Sequence, residues 1–568
     1  MRAASLRSCL VLLLTLLGCQ PAVHRVELGD FVLEYWPVAE RRVSRTHWEF
    51  EFRARLENRG TAPDEILVWV TSRSEDTAIL DGAFRFGGPL APGEQRESAD
   101  VVRVRQDRRS AFDPSALVWL EMDRFGGWKG IQREATGRFR VEEIDGVWWF
   151  VTPEGHAFYC AGVTGFDPFG DHAPSLGYSP YYQNVIARYG SEEAWAEVAQ
   201  DRFRAWNLNC VGGWSDTRLF ADRIPYAVNA SFMSRAPAVP GWPGGLTGRT
   251  IHDVFDPGFP AAAQAYAQQF ASCAENPWCI GVYSDNELAW GPGIFQIGTW
   301  VDAYMTLPPG APGKLALQAF FEDRYGGDVT VFNQVWGTQL ASFDELQQLD
   351  ALGGNVYTEP PERQQARQDF LGVAAARYFQ VVHDALRAVS PDLLILGARF
   401  SPPFTSRRVI EASGPWVDVV SLNDYEFHPA ILLLVGDLRA LGNLFLDGPF
   451  DDLDTVYEIT GKPLMITEYF YRLARPGGSL PPGLPEVADE AERVAKYTRY
   501  QDEMLARPFV IGTHWFEWMD QPIEGRFDGE NQLIGLVDIE DEPYPALTER
   551  MTLVNGATPL RRAALAGP

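Results

Sequence analysis

Lysine is almost missing from this chain of 568 residues. Only Lys129, Lys314, Lys462 and Lys496 stand among 49 basic residues, against 76 acidic ones, for a formal charge of -27. A surface of that sign repels phosphate backbones and excludes nucleic acid as a partner. Histidine is scarce as well: the eight residues form no cluster, and there is neither a CxxC pair nor an HExxH helix, so no metal centre is expected. No glycine-rich phosphate cradle is present, and no cofactor is called for. After the first nineteen residues, no apolar run is long enough to cross a bilayer as a helix. What the chain does have is 46% apolar residues and 18 tryptophans, enough for more than one large core.

Residues 1–19 are a separate kind of sequence. Arg2 and Arg7 precede an apolar stretch from Cys9 to Leu17, and the run closes Leu16-Leu17-Gly18-Cys19. It resembles the lipobox of bacterial lipoproteins, which implies export and a lipid anchor on Cys19, with a plain signal peptide as the alternative. Gln20 after the cysteine points, by the same resemblance, to the outer membrane. Export makes disulfides possible for Cys160, Cys210, Cys273 and Cys279, in any of three pairings.

Residues 25–135 carry short alternating runs (FVLEYW, HWEFEFRARLEN, EILVWVTS, ALVWLEM) broken by turn residues, the pattern of a β-sandwich. A hairpin follows, with Asp145-Gly146 and Glu154-Gly155 as turns. From residue 136 to 552 the rhythm changes. Eight buried-type strands, HAFYCAGVTGF, LNCVGGW, IPYAVNASF, WCIGVYSDNE, DLLILGARF, VDVVSLNDY, PLMITEYF and FVIGTHWFEW, are mostly separated by helical stretches. That is an α/β chain with a (β/α)8 TIM barrel behind an N-terminal β-sandwich; residues 553–568 read as a tail.

Two of those strands end in carboxylates, Glu287 in the fourth and Glu468 in the seventh. A barrel places its chemistry at the C-terminal ends of strands. Retaining glycoside hydrolysis needs two carboxyl groups ~5 Å apart, one holding a proton and one ionised to attack the anomeric carbon. Asn286, beside the first, is placed to meet a sugar hydroxyl. Trp214 and Asp216 in GGWSD would stack on and hydrogen-bond a sugar. Tyr425 and Arg399 would fix the nucleophile. His514, Trp515, Glu517 and Gln521 in THWFEWMDQP would line the groove, Trp515 as a sugar platform. Each also has a bland role open to it, as a turn, core or partner residue.

The segments LNCVGGWSD, WCIGVYSDNELAWG, PLMITEYF and THWFEWMDQPIEGRFDGENQLIGLVDIEDEPYP together resemble the β-agarases of glycoside hydrolase family 50 over residues 137–550. The resemblance implies retaining hydrolysis of β-galactosidic bonds in agarose, a neutral galactan, with Glu287 as acid/base and Glu468 as nucleophile. After the second glutamate this chain reads YFYRLARPGG, where family agarases tend to carry a His-rich segment, so Tyr469 and Tyr471 stand at a point of difference. An exo-β-galactosidase, a hydrolase of another β-linked polysaccharide and a non-catalytic glycan-binding lipoprotein stay open beside agarose cleavage.

Overall fold

The structure is a computed structural model that describes residues 22–242, 250–288, 290, 299–354, 358–401, 405–426, 453–481 and 483–566. The leader and Cys19 lie outside the described residues. Among the described residues no helix is long and apolar enough to cross a membrane.

The N-terminal third forms two antiparallel sheets. One runs His24–Leu28, Phe31–Arg42, His47–Asn58, Val102–Asp107, Thr77–Asp81, with Gln95–Glu97 paired to the third. In HWEFEFRARLEN every second side chain at the end turns inward: Phe52, Ala54 and Leu56 are buried while Arg53 and Arg55 face water. These meet Val68, Val70 and Phe84 of the second sheet in one apolar core, the expected β-sandwich. The second sheet continues past residue 135, because Trp128 pairs with Ala157 and Gln132 with His156. The hairpin Arg140–Ile144/Val147–Val151 turns at Asp145 and Gly146, both with positive φ as its two-residue turn requires. Hydrogen bonds therefore cross the 135/136 division read from composition.

All eight parallel strands of the barrel form where the apolar runs place them: Cys160–Val163, Cys210–Val211, Tyr226–Asn229, Cys279–Tyr283, Leu394–Ile395, Val420–Asn423, Leu464–Tyr469 and Val510–Trp515. The eighth pairs with both the first and the seventh, and a bridge from Phe400 to Leu422 joins the fifth segment to the sixth. The interior core takes Cys160, Cys210, Ala227, Ile280, Leu394, Val419, Met465 and Ile511, one from each strand segment, and Phe125, Phe139 and Phe158 pack on them. Cys160 and Cys210 bond to each other inside this core, and Cys273 bonds to Cys279 beside the fourth strand.

The expected tail is not one. A helix spans Pro545–Ala563 without a break at 552, and Val554, Asn555, Thr558 and Arg562 are buried on it. Its Glu549 pairs with Arg105 of the sandwich at 2.9 Å. Fully buried Arg562 donates to the carbonyls of Arg507 (2.6 Å), Trp148 (2.8 Å) and Pro508 (3.0 Å). The helix thus pins sandwich, hairpin and barrel together, which a sequence read for charge and turns alone does not reveal.

Candidate active site

Glu468 sits in the seventh strand and is 6% exposed. A buried carboxylate needs donors, and it has three. Arg399 Nη2 donates to Oε1 at 2.6 Å, Tyr425 Oη to Oε2 at 2.6 Å, and Trp214 Nε1 to Oε1 at 3.4 Å. Arg399 is itself fully buried; Nη2 also reaches Thr467 O at 3.3 Å, and the guanidinium lies 5.4 Å from the ring centres of both Trp214 and Tyr283. Burial pushes the Glu468 carboxyl above its ordinary value. Arg399 pulls it down, the charge of Glu287 pushes it up again, and the Tyr425 and Trp214 hydrogen bonds pull it down. Glu287 is therefore close enough to be felt.

Glu287 lies four residues beyond the fourth strand, on partly exposed backbone whose N–H donates to Arg399 O at 3.2 Å. Its Oε1 accepts Asn423 Nδ2 at 3.0 Å, and the same amide nitrogen donates to Asn286 Oδ1 at 3.2 Å. Asp285 anchors this segment from below: it accepts Met233 N at 3.0 Å and the Tyr378 hydroxyl, and burial pushes it up to about 7. Three of the six non-glycine residues with positive φ among the described residues are Trp214 (65°), Glu287 (45°) and Arg399 (48°). Left-handed backbone is unfavourable for side-chain-bearing residues, and its concentration around one carboxylate marks a site held against local preference.

The other expected site residues meet partners of their own. Asp216 caps the turn Thr217–Leu219 and holds Arg218 with both oxygens (2.9 and 2.6 Å), so its carboxylate is occupied on the flank. His514 is corrected from a groove residue to a barrel-interior one. It is fully buried, its Nε2 lies 2.9 Å from Cys210 Sγ and 3.2 Å from Cys160 Sγ, and burial, with Arg399 adding to it, pushes it down to about 3. Gly162 and Gly212 make room for that ring, since a Cβ on either would stand 2.6 Å or less from it. Trp515 is no platform. At 1% exposure it faces the helix Glu490–Leu505, donates to Ile534 O at 2.8 Å, and has Arg493 over its ring at 5.2 Å. Period-two alternation turns His514 one way and Trp515 the other. Glu517 and Gln521 are buried in a polar cluster with Arg526 and Glu530. Gln521 Nε2 donates to Glu530 at 3.1 Å and to Glu517 at 3.4 Å, while Arg526 pairs with Glu530 at 2.8 Å. Burial and the nearby Asp171 push Glu517 well up.

Two features were missed. Asn423 stands in the strand run VDVVSLNDY with no site role assigned to it, yet it contacts both Asn286 and Glu287. Phe516 lies 5.7 Å from the Arg526 guanidinium and 6.4 Å from the Phe470 ring, which in turn lies 4.8 Å from Tyr425. Only the strand-8 register, unreadable without its partners, separates Phe516 from Trp515.

Two clusters among the described residues have metal-ligand chemistry, Cys160/Cys210/His514 and Asp123/Glu154/His156. The first spends both sulfurs on a disulfide. In the second, Asp123 is filled by four donors: Phe125 N, Gly127 N, Thr152 Oγ1 and His156 Nδ1.

No protein-family model matches the chain. Its sequence is 27% identical to β-agarase B of Vibrio sp. (strain JT0107) over 499 residues and 27% identical to β-agarase A of the same strain over 467. The matches cover 75% and 72% of this chain but 49% and 44% of the relatives, so the chain spans about half the length of the curated relatives it matches. Among solved structures, PfGH50B aligns with TM-score 0.65 at 19% identity, over 96% of this chain and 98% of that one. An exo-β-agarase aligns with TM-score 0.64 at 20% identity, over 96% and 97%. The agarase AgWH50C gives TM-score 0.62 at 20% identity, over 95% and 97%. At 20% identity or below, the likeness to these solved structures is one of fold, and it extends over nearly the whole chain.

Proposed function

We propose that the chain is a retaining glycosidase that cleaves β-galactosidic bonds of agarose or agaro-oligosaccharides. The observation that carries this reading is the Glu468 carboxylate, buried and held by Arg399, Tyr425 and Trp214 within electrostatic reach of Glu287. Three donors to Glu468 suit it to attack as the carboxylate, which leaves Glu287 as the acid/base of the proposed pair. A Glu468 oxygen attacks the anomeric carbon as the glycosidic C–O bond breaks, and the leaving oxygen takes the Glu287 proton. Water then attacks the glycosyl-enzyme, giving its proton to Glu287 and releasing Glu468. Trp214, half exposed beside the nucleophile, offers the stacking face, and Asn286 the amide for a hydroxyl near the reacting carbon. The galactan is inferred from the agarases the chain resembles.

The sandwich and the barrel are proposed as two domains, the barrel carrying the chemistry. Export with a lipid on Cys19 is proposed from the leader, and the two disulfides fit an oxidising compartment.

Product analysis on agarose, agaro-oligosaccharides and a panel of β-glucans and galactans tests the substrate, and NMR of the first-formed anomer tests the stereochemistry. Glu287→Ala and Glu468→Ala should each abolish turnover, with azide restoring Glu468→Ala to an inverted glycosyl azide. Full activity in either variant, or net inversion by the wild type, would sink the mechanism. Glycan binding without turnover would make the chain a binding protein instead.

A further inference from the structure

Asn423 ends the sixth strand, Val420–Asn423, and is fully buried. Its main chain is clamped on both sides. The Asn423 N–H donates to Phe400 O at 2.7 Å, and the next residue, Asp424, donates to Glu468 O at 2.8 Å. The side chain leaves this clamp and reaches the segment after the fourth strand. There one nitrogen serves two acceptors, Glu287 Oε1 at 3.0 Å and Asn286 Oδ1 at 3.2 Å.

The amide has one sensible orientation. Asn423 Oδ1 accepts the Thr467 hydroxyl at 2.8 Å, nearer than that hydroxyl's other acceptor, Leu422 O at 3.1 Å, and Thr467 precedes the other glutamate in the seventh strand. Flipping the amide would aim Oδ1 at the Glu287 and Asn286 oxygens, three acceptors facing one another. With the donor fixed on Glu287 Oε1, that oxygen is held as an acceptor, and a proton on this carboxyl is carried by Oε2. The same contact engages the carbonyl of Asn286, which turns the Asn286 Nδ2 away from Asn423. Asn423 thus sets two groups at once from a single anchored amide.

We propose that Asn423, locked by Thr467, is a positioning residue that holds the acid/base carboxyl of Glu287 and the amide of Asn286 in register for proton delivery to the leaving oxygen. The inference rests on Glu287 being the acid/base. It goes further by naming which of its oxygens carries the proton and what fixes that choice. An asparagine that merely filled a strand end would need neither the donor pair nor the hydroxyl beneath it.

Leaving-group dependence tests it, because an activated aryl glycoside departs without a proton and a sugar does not. Asn423→Asp keeps the shape and the acceptor for Thr467 but removes the donors; Asn423→Ala removes both. Kinetics are measured on an agaro-oligosaccharide and on 2,4-dinitrophenyl β-D-galactopyranoside, across pH. For both variants, kcat/KM on the oligosaccharide should fall by about 10² while kcat/KM for aryl release falls less than about fivefold. In Asn423→Asp the alkaline limb should also move, because a carboxylate then joins Glu287, Glu468, Arg399, Tyr425 and Glu530, the ionisable groups that face one another here among the described residues. Thr467→Val should reproduce the selective loss more weakly, and Thr467→Ser should restore it, which keeps the test decisive if the Asn423 variants fold poorly. Equal slowing on both substrates with an unmoved pH profile, or no slowing at all, would overturn the inference while leaving the hydrolase reading intact. A wild type inert on every glycoside would sink both.

Discussion

Removing the Arg399 charge should move the acid limb of activity towards neutral pH. Arg399 Nη2 is 2.6 Å from Glu468 Oε1, and the guanidinium is fully buried, so water does not screen the pair. A hydrogen bond to a charged group contributes ~1.5–3 kcal/mol. One pKa unit corresponds to 1.36 kcal/mol, so losing that bond should raise the carboxyl by roughly 1–2 units in Arg399→Met. The neighbouring charge of Glu287 pushes in the same direction, while Tyr425 and Trp214 still donate and limit the rise. In the proposed mechanism Glu468 acts ionised, so activity on the acid side should fall about tenfold for each unit, and recover as pH rises past the new limb. Arg399→Lys keeps the charge but loses the planar fork, and should shift the limb less. The assay is kcat/KM against pH for wild type and both variants, with circular dichroism confirming the fold. An acid limb that moves by less than about 0.3 units in folded Arg399→Met would refute the idea that Arg399 sets the ionisation of Glu468.

Three further outcomes are expected. Burial pushes Asp167 up to about 6, Asp285 up to about 7 and Asp520 up to about 6. Folded values above the unfolded one near 3.8 mean the native state holds more protons in between, so this stability is present at low pH and lost as pH rises through about 6 to 7. The melting temperature should therefore fall from pH 5 to pH 8, and Asp285→Asn should flatten the fall; an unchanged slope would argue against it. The Cys160–Cys210 bond closes 50 residues and Cys273–Cys279 only 6, so paired Cys→Ala changes should cost about 4 and about 2 kcal/mol in urea unfolding. The reverse order would count against the loop-entropy account. Trp214, half exposed, should act through its ring: Trp214→Ala should raise KM on oligosaccharides roughly tenfold while Trp214→Phe keeps most of the affinity, and equal losses would refute a stacking role.

How much of this was legible depended on whether the signal was local. Apolar runs such as IGVYS and LMIT announce buried strands by themselves, so all eight barrel strands, and with them the positions of Glu287 and Glu468 at one mouth, were readable. Register is a different quantity, because it is fixed by the neighbouring strand. FVIGTHWFEW offers a histidine and two large rings in a row, and only pairing with the first and seventh strands decides that His514 enters the barrel and Trp515 leaves it. Partners of polar residues are less local still. Asp216 looks the same in sequence whether it meets a sugar or Arg218 two positions on. Asn423 looks like any strand-end residue, since nothing in SLNDY reveals that Glu287, 136 positions earlier, lies 3.0 Å from its amide. The same holds for Arg562, whose three carbonyl acceptors come from two distant stretches of the chain. The two glutamates were therefore easier to read than their partners. A carboxylate pair shows in residue type and strand end, whereas the groups that tune it act through contacts that exist only once the barrel closes.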